Sequence, residues 1–166
     1  MPSVFPCSVR TVAAMLVASL LVAPAVEAAP TNMATIKSRQ DKLRDMGSAL
    51  KAIDDELKKR NVDWDNVILP NTQTVKDRSG YLLTWFPKGT GPESGVKTYA
   101  LPGVWQKTDD FTRLGKAAQG EAAKLAQVAA GKDAAAMKAQ AFAMGKACKA
   151  CHDDYRSKDY EKDNDE

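Results

Sequence analysis

Histidine is nearly absent from this sequence: His152 is the only one among 166 residues. Cysteine is scarce as well, at three, and aromatic residues make up only 7% of the chain. A structural zinc site needs about four Cys or His ligands, usually from two separate pairs, and this supply does not provide them. The 24 Lys and Arg and 21 Asp and Glu are interspersed and leave a net charge of +3, without the basic patch that would imply nucleic acid. No stretch alternates apolar and polar residues in the manner of a half-buried strand.

The sequence has one long apolar run, and it is too short to span a membrane. Residues 1–28 carry a single base, Arg10, then a mostly apolar segment from Val12 to Val22, and end in Val26-Glu27-Ala28. That is the layout of a secretory signal peptide cleaved near Ala28–Ala29. A membrane anchor would need ~20 apolar residues, and Pro24 interrupts this run. The expected location is therefore the periplasm, with no anchor after cleavage. Cleavage also removes Cys7, so the mature chain keeps only Cys148 and Cys151 in an oxidising compartment. The folded domain is expected over residues 29–157, with the polar, acidic residues 158–166 as a flexible tail.

The rest of the sequence reads as helix. Between Met33 and Arg60, Ile36, Leu43, Leu50 and Leu57 recur every seven residues, interleaved with Arg39, Met46, Ile53 and Arg60. This is the seam of a bundle helix with an arginine on its apolar stripe. Arg39 needs either solvent at the bundle end or an anionic partner, and solvent is the simpler reading. Over residues 61–86, Ile68, Val75, Leu82 and Phe86 keep helical spacing, with Pro70 either opening a second helix or kinking it. A Gly- and Pro-rich stretch, FPKGTGPESGVKTYALPG, then reads as a long irregular connection. Thr108 is expected to cap a third helix carrying Phe111, Leu114, Ala118, Ala122, Leu125 and Ala129, with Gly131 as its stop. Asp133 is expected to cap a fourth, with Met137, Ala141, Met144, Cys148, Cys151 and Tyr155 inward. The sum is an all-α, antiparallel four-helix bundle.

That last stripe gives CKACH, residues 148–152, its setting. Both thiols lie on the inward face, one turn apart, beside the only imidazole. A redox dithiol belongs at a helix N-terminus after a strand, where the dipole lowers a thiol pKa. A structural disulfide across two residues would strain the helix. A covalent haem fits: two thiols add to the two vinyl groups, and the adjacent imidazole ligates iron.

At CKACHDDYR near the end of a helical bundle, the sequence resembles cytochrome c′ of the class II c-type cytochromes. The likeness runs from about Met33 to Ser157 and is strongest in IKSRQDKLRDM, WFPKGTG, VWQKTDDF and GKACKACHDDYR. It is weaker across NTQTVKDRSG and ESGVKTYALPG. The resemblance implies one haem c per chain on Cys148 and Cys151, with His152 as the axial ligand of the iron. It places Arg156 beside that histidine, Arg39 at a haem propionate, Trp105 and Phe86 among the aromatic packing, and Leu43 at the distal face with Met46 nearby. Some relatives put a methionine where Leu43 stands. Leucine cannot ligate, so a five-coordinate, high-spin iron is expected, open to NO or CO. The alternative is a low-spin electron carrier with Met46 as sixth ligand. A periplasmic redox partner and a homodimer through the first two helices remain open. An enzyme is not expected, because no second titratable constellation accompanies His152 beyond Arg156.

Overall fold

A computed structural model describes residues 31–164, so the signal-peptide reading of residues 1–28 lies outside the described residues. Helix α1 (Asn32–Glu56) starts where the Thr31 hydroxyl accepts from the Ala34 amide at 3.3 Å. Asp63 opens a short π-turn (Trp64–Ile68), its carboxylate accepting from the Asn66 amide at 3.0 Å. This wide turn runs directly into α2 (Leu69–Gly80). Pro70 sits in the first turn of α2, directly after the π-turn. The polar stretch Asn71–Gly80 can be a packed helix because its buried hydroxyls bond back to the helix itself. Thr72 donates to the Leu69 carbonyl and Ser79 to the Lys76 carbonyl, each at 2.9 Å.

The connection after α2 is less irregular than expected. It contains 3₁₀ turns at Leu82–Trp85 and Pro92–Ser94, then the short helix α3 (Gly103–Gln106). Helix α4 (Thr108–Ala129) and helix α5 (Ala134–Tyr155) follow. Thr108 does not cap α4: it is the first helical residue, and no side chain caps that end. Asp109 and Asp110 still place negative charge in the first turn, where the helix dipole favours it. Gly131 lies in the following turn, but the left-handed residue there is Lys132, with φ of 50°. Asp133 caps α5 as expected, accepting from the Ala135 and Ala136 amides at 2.8 and 3.2 Å. Where a flexible tail was expected, residues Asp159–Asn164 form a last short helix, α6.

The four long helices make a ring: α1 packs on α2, α2 on α4 and α4 on α5, while the seam between α5 and α1 is the slimmest of the four. Ile53, Ile68, Val75, Leu125, Met137 and Met144 are fully enclosed at its centre. A second, smaller cluster of Val104, Phe111, Leu114 and Tyr155 fills the end where the long connection crosses. There α4 comes so close to the 3₁₀ turn that a Cβ on Gly115 would sit 2.4 Å from Leu83. A side chain at 115 would require the tip of Leu83 to turn aside.

Candidate functional site

The helical register of α5 puts the CKACH residues at the junction of the two clusters. Cys148 packs against the main core, together with Leu43 and Phe86 at its edge. Cys151, one turn on, packs against the smaller cluster with Phe86 and Trp105. Phe86 touches both and starts a chain of edge-on rings. Its centroid lies 6.3 Å from Trp105 and 4.9 Å from Phe111, which lies 5.2 Å from Tyr155. The Trp105 indole is fixed by donating to the Phe86 and Pro87 carbonyls, both at 3.1 Å.

Arg39 closes this row, and its environment corrects the solvent reading. It is 2% exposed, with its guanidinium 4.7 Å from the Phe86 ring and 5.8 Å from Trp105. It donates to the Trp85 carbonyl at 3.3 Å, to the Thr90 hydroxyl and carbonyl at 3.0 Å each, and to the Thr98 hydroxyl at 2.9 Å. None of these partners is a carboxylate, so a buried cation faces only dipoles, and desolvation pulls its pKa down to about 10. Thr90 and Thr98 escaped the sequence reading because nothing in their spacing ties them to a residue 51 and 59 positions earlier. Replacing Arg39 by leucine would leave two carbonyls and two hydroxyls without this donor. A stability loss on the order of 3 kcal/mol is expected, since each orphaned buried group costs about 1–3 kcal/mol. Urea unfolding of Arg39→Leu measures it, and Arg39→Lys should recover only part, since lysine lacks the planar fork.

The thiols and the imidazole are half-buried, and burial governs their chemistry. It raises the pKa of Cys148 and pushes that of Cys151 up to about 11, the latter aided by its neighbour Cys148. His152 is driven the other way, down to about 4, first by burial and then by the Arg156 charge. Near neutral pH the site thus offers two protonated thiols and a neutral imidazole with a lone pair to give. Met46 is 5% exposed within the main core, whereas Leu43 lies half-buried at its edge. Arg156 stands apart from Arg39: its guanidinium pairs with Glu161 at 3.1 Å and lies 4.4 Å from the Tyr160 ring.

A helical bundle with CKACH on its last long helix can be compared with known families. The family model for cytochrome c′ matches residues 34–156. The chain belongs to the cytochrome c′ family. Cytochrome c′ of Rhodocyclus tenuis is 64% identical over 96 residues, 57% of this chain and 71% of that one. Cytochrome c-554 of Cereibacter sphaeroides is 40% identical over 74 residues, 45% of this chain and 48% of its own length, so the match spans about half of that relative. Among solved structures, the nitric oxide complex of a single-residue mutant of cytochrome c prime from Alcaligenes xylosoxidans superposes with a TM-score of 0.69. It is 26% identical, covering 77% of this chain and 98% of that one.

Cytochromes c′ carry a covalently bound c-type haem, and the residues here fit that group. Two half-buried thiols stand one turn apart beside a neutral imidazole. Phe86 and Trp105 pack against the same cluster as Cys151 and are apolar and aromatic, as a macrocycle requires, and the buried Arg39 cation suits a carboxylate substituent.

Proposed function

We infer that this cytochrome c′ is a periplasmic binder of diatomic gases, with a five-coordinate, high-spin haem and no enzymatic turnover. Bound haem supplies an iron that can take a small ligand on one face and change oxidation state by one electron. Cys148 and Cys151 would hold it by thioether bonds, and His152 would offer its neutral nitrogen to the iron. Arg39 would be available to a propionate, and Trp105 and Phe86 would supply aromatic packing. Leu43 would contribute bulk and neither a ligand nor a hydrogen-bond donor.

The carrying observation is the contrast between Leu43 and Met46. Leu43 sits half-buried at the edge of the main core, against which Cys148 also packs, while Met46 is taken up within the packed interior. A thioether enclosed there is a packing group, and drawing it out to ligate would open a cavity behind it. A leucine face accepts NO and CO but cannot steady polar bound O₂. The nitric oxide complex of the Alcaligenes xylosoxidans relative supports the same ligand here. One-electron exchange with a periplasmic partner, and a homodimer through α1 and α2, are compatible with this reading and do not depend on it. Among the described residues no helix is long and apolar enough to cross a membrane.

The test is optical. The ferric protein near neutral pH should show high-spin bands and lack the near-infrared band of methionine ligation. The ferrous form should bind NO and CO directly, more readily than O₂. A low-spin spectrum abolished by Met46→Ala would replace this reading with that of an electron carrier.

A further inference from the structure

The family match ends at residue 156, but the described chain continues into α6. That helix is fastened to the long connection. The Ser157 amide donates to the Tyr99 carbonyl at 2.7 Å, and the Tyr99 hydroxyl to the Asp163 carboxylate at 2.9 Å. Lys97 reaches the same carboxylate oxygen at 2.9 Å. The rings of Tyr99 and Tyr160 meet edge to face at 5.2 Å. Ser157 turns the chain into the helix, accepting from the Asp159 amide at 3.2 Å and donating to its carboxylate at 3.0 Å.

What α6 holds in turn is Arg156. The backbone of Arg156 leaves α5 in an extended conformation, bridged to Ala100, while its amide still donates to the His152 carbonyl at 3.1 Å. From there its side chain meets only α6 among the partners described above: the Tyr160 ring at 4.4 Å and Glu161 at 3.1 Å. Arginine at a helix end has many rotamers to choose among, and an exposed ion pair alone restrains it weakly. A ring stack and an ion pair delivered together by a fastened helix restrain it far better.

We propose that α6 is a strap on the His152 side of the haem, in which Tyr160 and Glu161 are positioning residues that set the location and the compensated charge of Arg156. The proposal rests on the haem reading of CKACH. Glu161 offsets the guanidinium charge, and Tyr160 limits where it can go. Loss of either changes the field that the iron feels without touching a haem ligand.

The test uses the full mature holoprotein and two readouts: the reduction potential and amide hydrogen exchange at Ser157. Glu161→Gln should shift the potential upward, because an uncompensated cation favours the reduced iron. That shift should be smaller when Arg156 is already glutamine, leaving only the direct effect of the Glu161 charge on His152. Tyr160→Leu should move the potential and speed exchange at Ser157, and Tyr160→Phe, which keeps the ring, should restore both. An unchanged potential in both Glu161→Gln and Tyr160→Leu overturns the strap. So does a Glu161→Gln shift that is undiminished in the Arg156→Gln background, because Glu161 would then act only directly. Chain that matures without covalent haem overturns the underlying reading, an outcome visible by mass before any potential is measured.

Discussion

Mature protein carrying Cys148→Ala and Cys151→Ala together should lose all its haem to acid–acetone extraction. The wild-type mass should equal the chain from about Ala29 plus one haem and survive the same treatment. Each single substitution should weaken or abolish stable attachment, because each removes one of two thioether bonds. The expectation follows from the state of the thiols. A dithiol used for redox exchange needs a thiolate at neutral pH, from a helix N-terminus or a nearby cation. Here the pair lies in the later turns of α5, and burial raises both thiol pKa values, Cys151 to about 11. Such thiols are poor exchange nucleophiles near neutral pH. Wild-type haem that extracts freely, or a chain that binds none, would return CKACH to the dithiol reading.

The second large effect is expected at Leu43. Leu43→Met offers a thioether at the edge of the core and should drive the ferric spectrum toward low spin and suppress CO and NO binding. Leu43→Ala should do the reverse and speed CO binding to the ferrous protein, because it removes bulk and no ligand. The two substitutions separate steric occlusion from ligation. If Leu43→Ala leaves the CO rate unchanged, leucine is not the barrier, and the distal face lies elsewhere. Met46→Ala should leave the wild-type spectrum high-spin while destabilising the fold by about 2–5 kcal/mol, the usual cost of emptying a buried methionine site.

Much of this site was legible because helical spacing and haem chemistry concern neighbouring residues. The stripe Met137, Met144, Cys148, Cys151 and Tyr155 could be counted along one helix, and Asp133 announced the start of that helix. The apolar face of α4 was read correctly from Phe111 to Ala129, all six positions being buried. The errors arose where partners are distant or the competing choice is subtle. Thr108 looked like a cap, but the chain enters the helix one residue earlier, leaving its hydroxyl uninvolved in capping. Arg39 looked like a solvated helix end because its hydrogen-bond partners lie in a connection whose Gly and Pro content hides its fold. Residues 158–166 looked like a flexible tail from their charge. Within them Asp159–Asn164 form α6, tied through Tyr99, Tyr160 and Lys97, and nothing local in the sequence marks that pairing.

The slim seam between α1 and α5 bears on the order of assembly. The other three seams join helices that follow one another among the four long ones: two bridge short stretches of chain, and α2 to α4 bridges the long connection. Joining α1 to α5 brings together the two ends of the domain, and the entropy of closing so long a loop makes that contact slow and late. The attachment residues sit on α5, one of the two helices of this seam. A late closure of α1 on α5 leaves that side of the bundle open while the other three seams form.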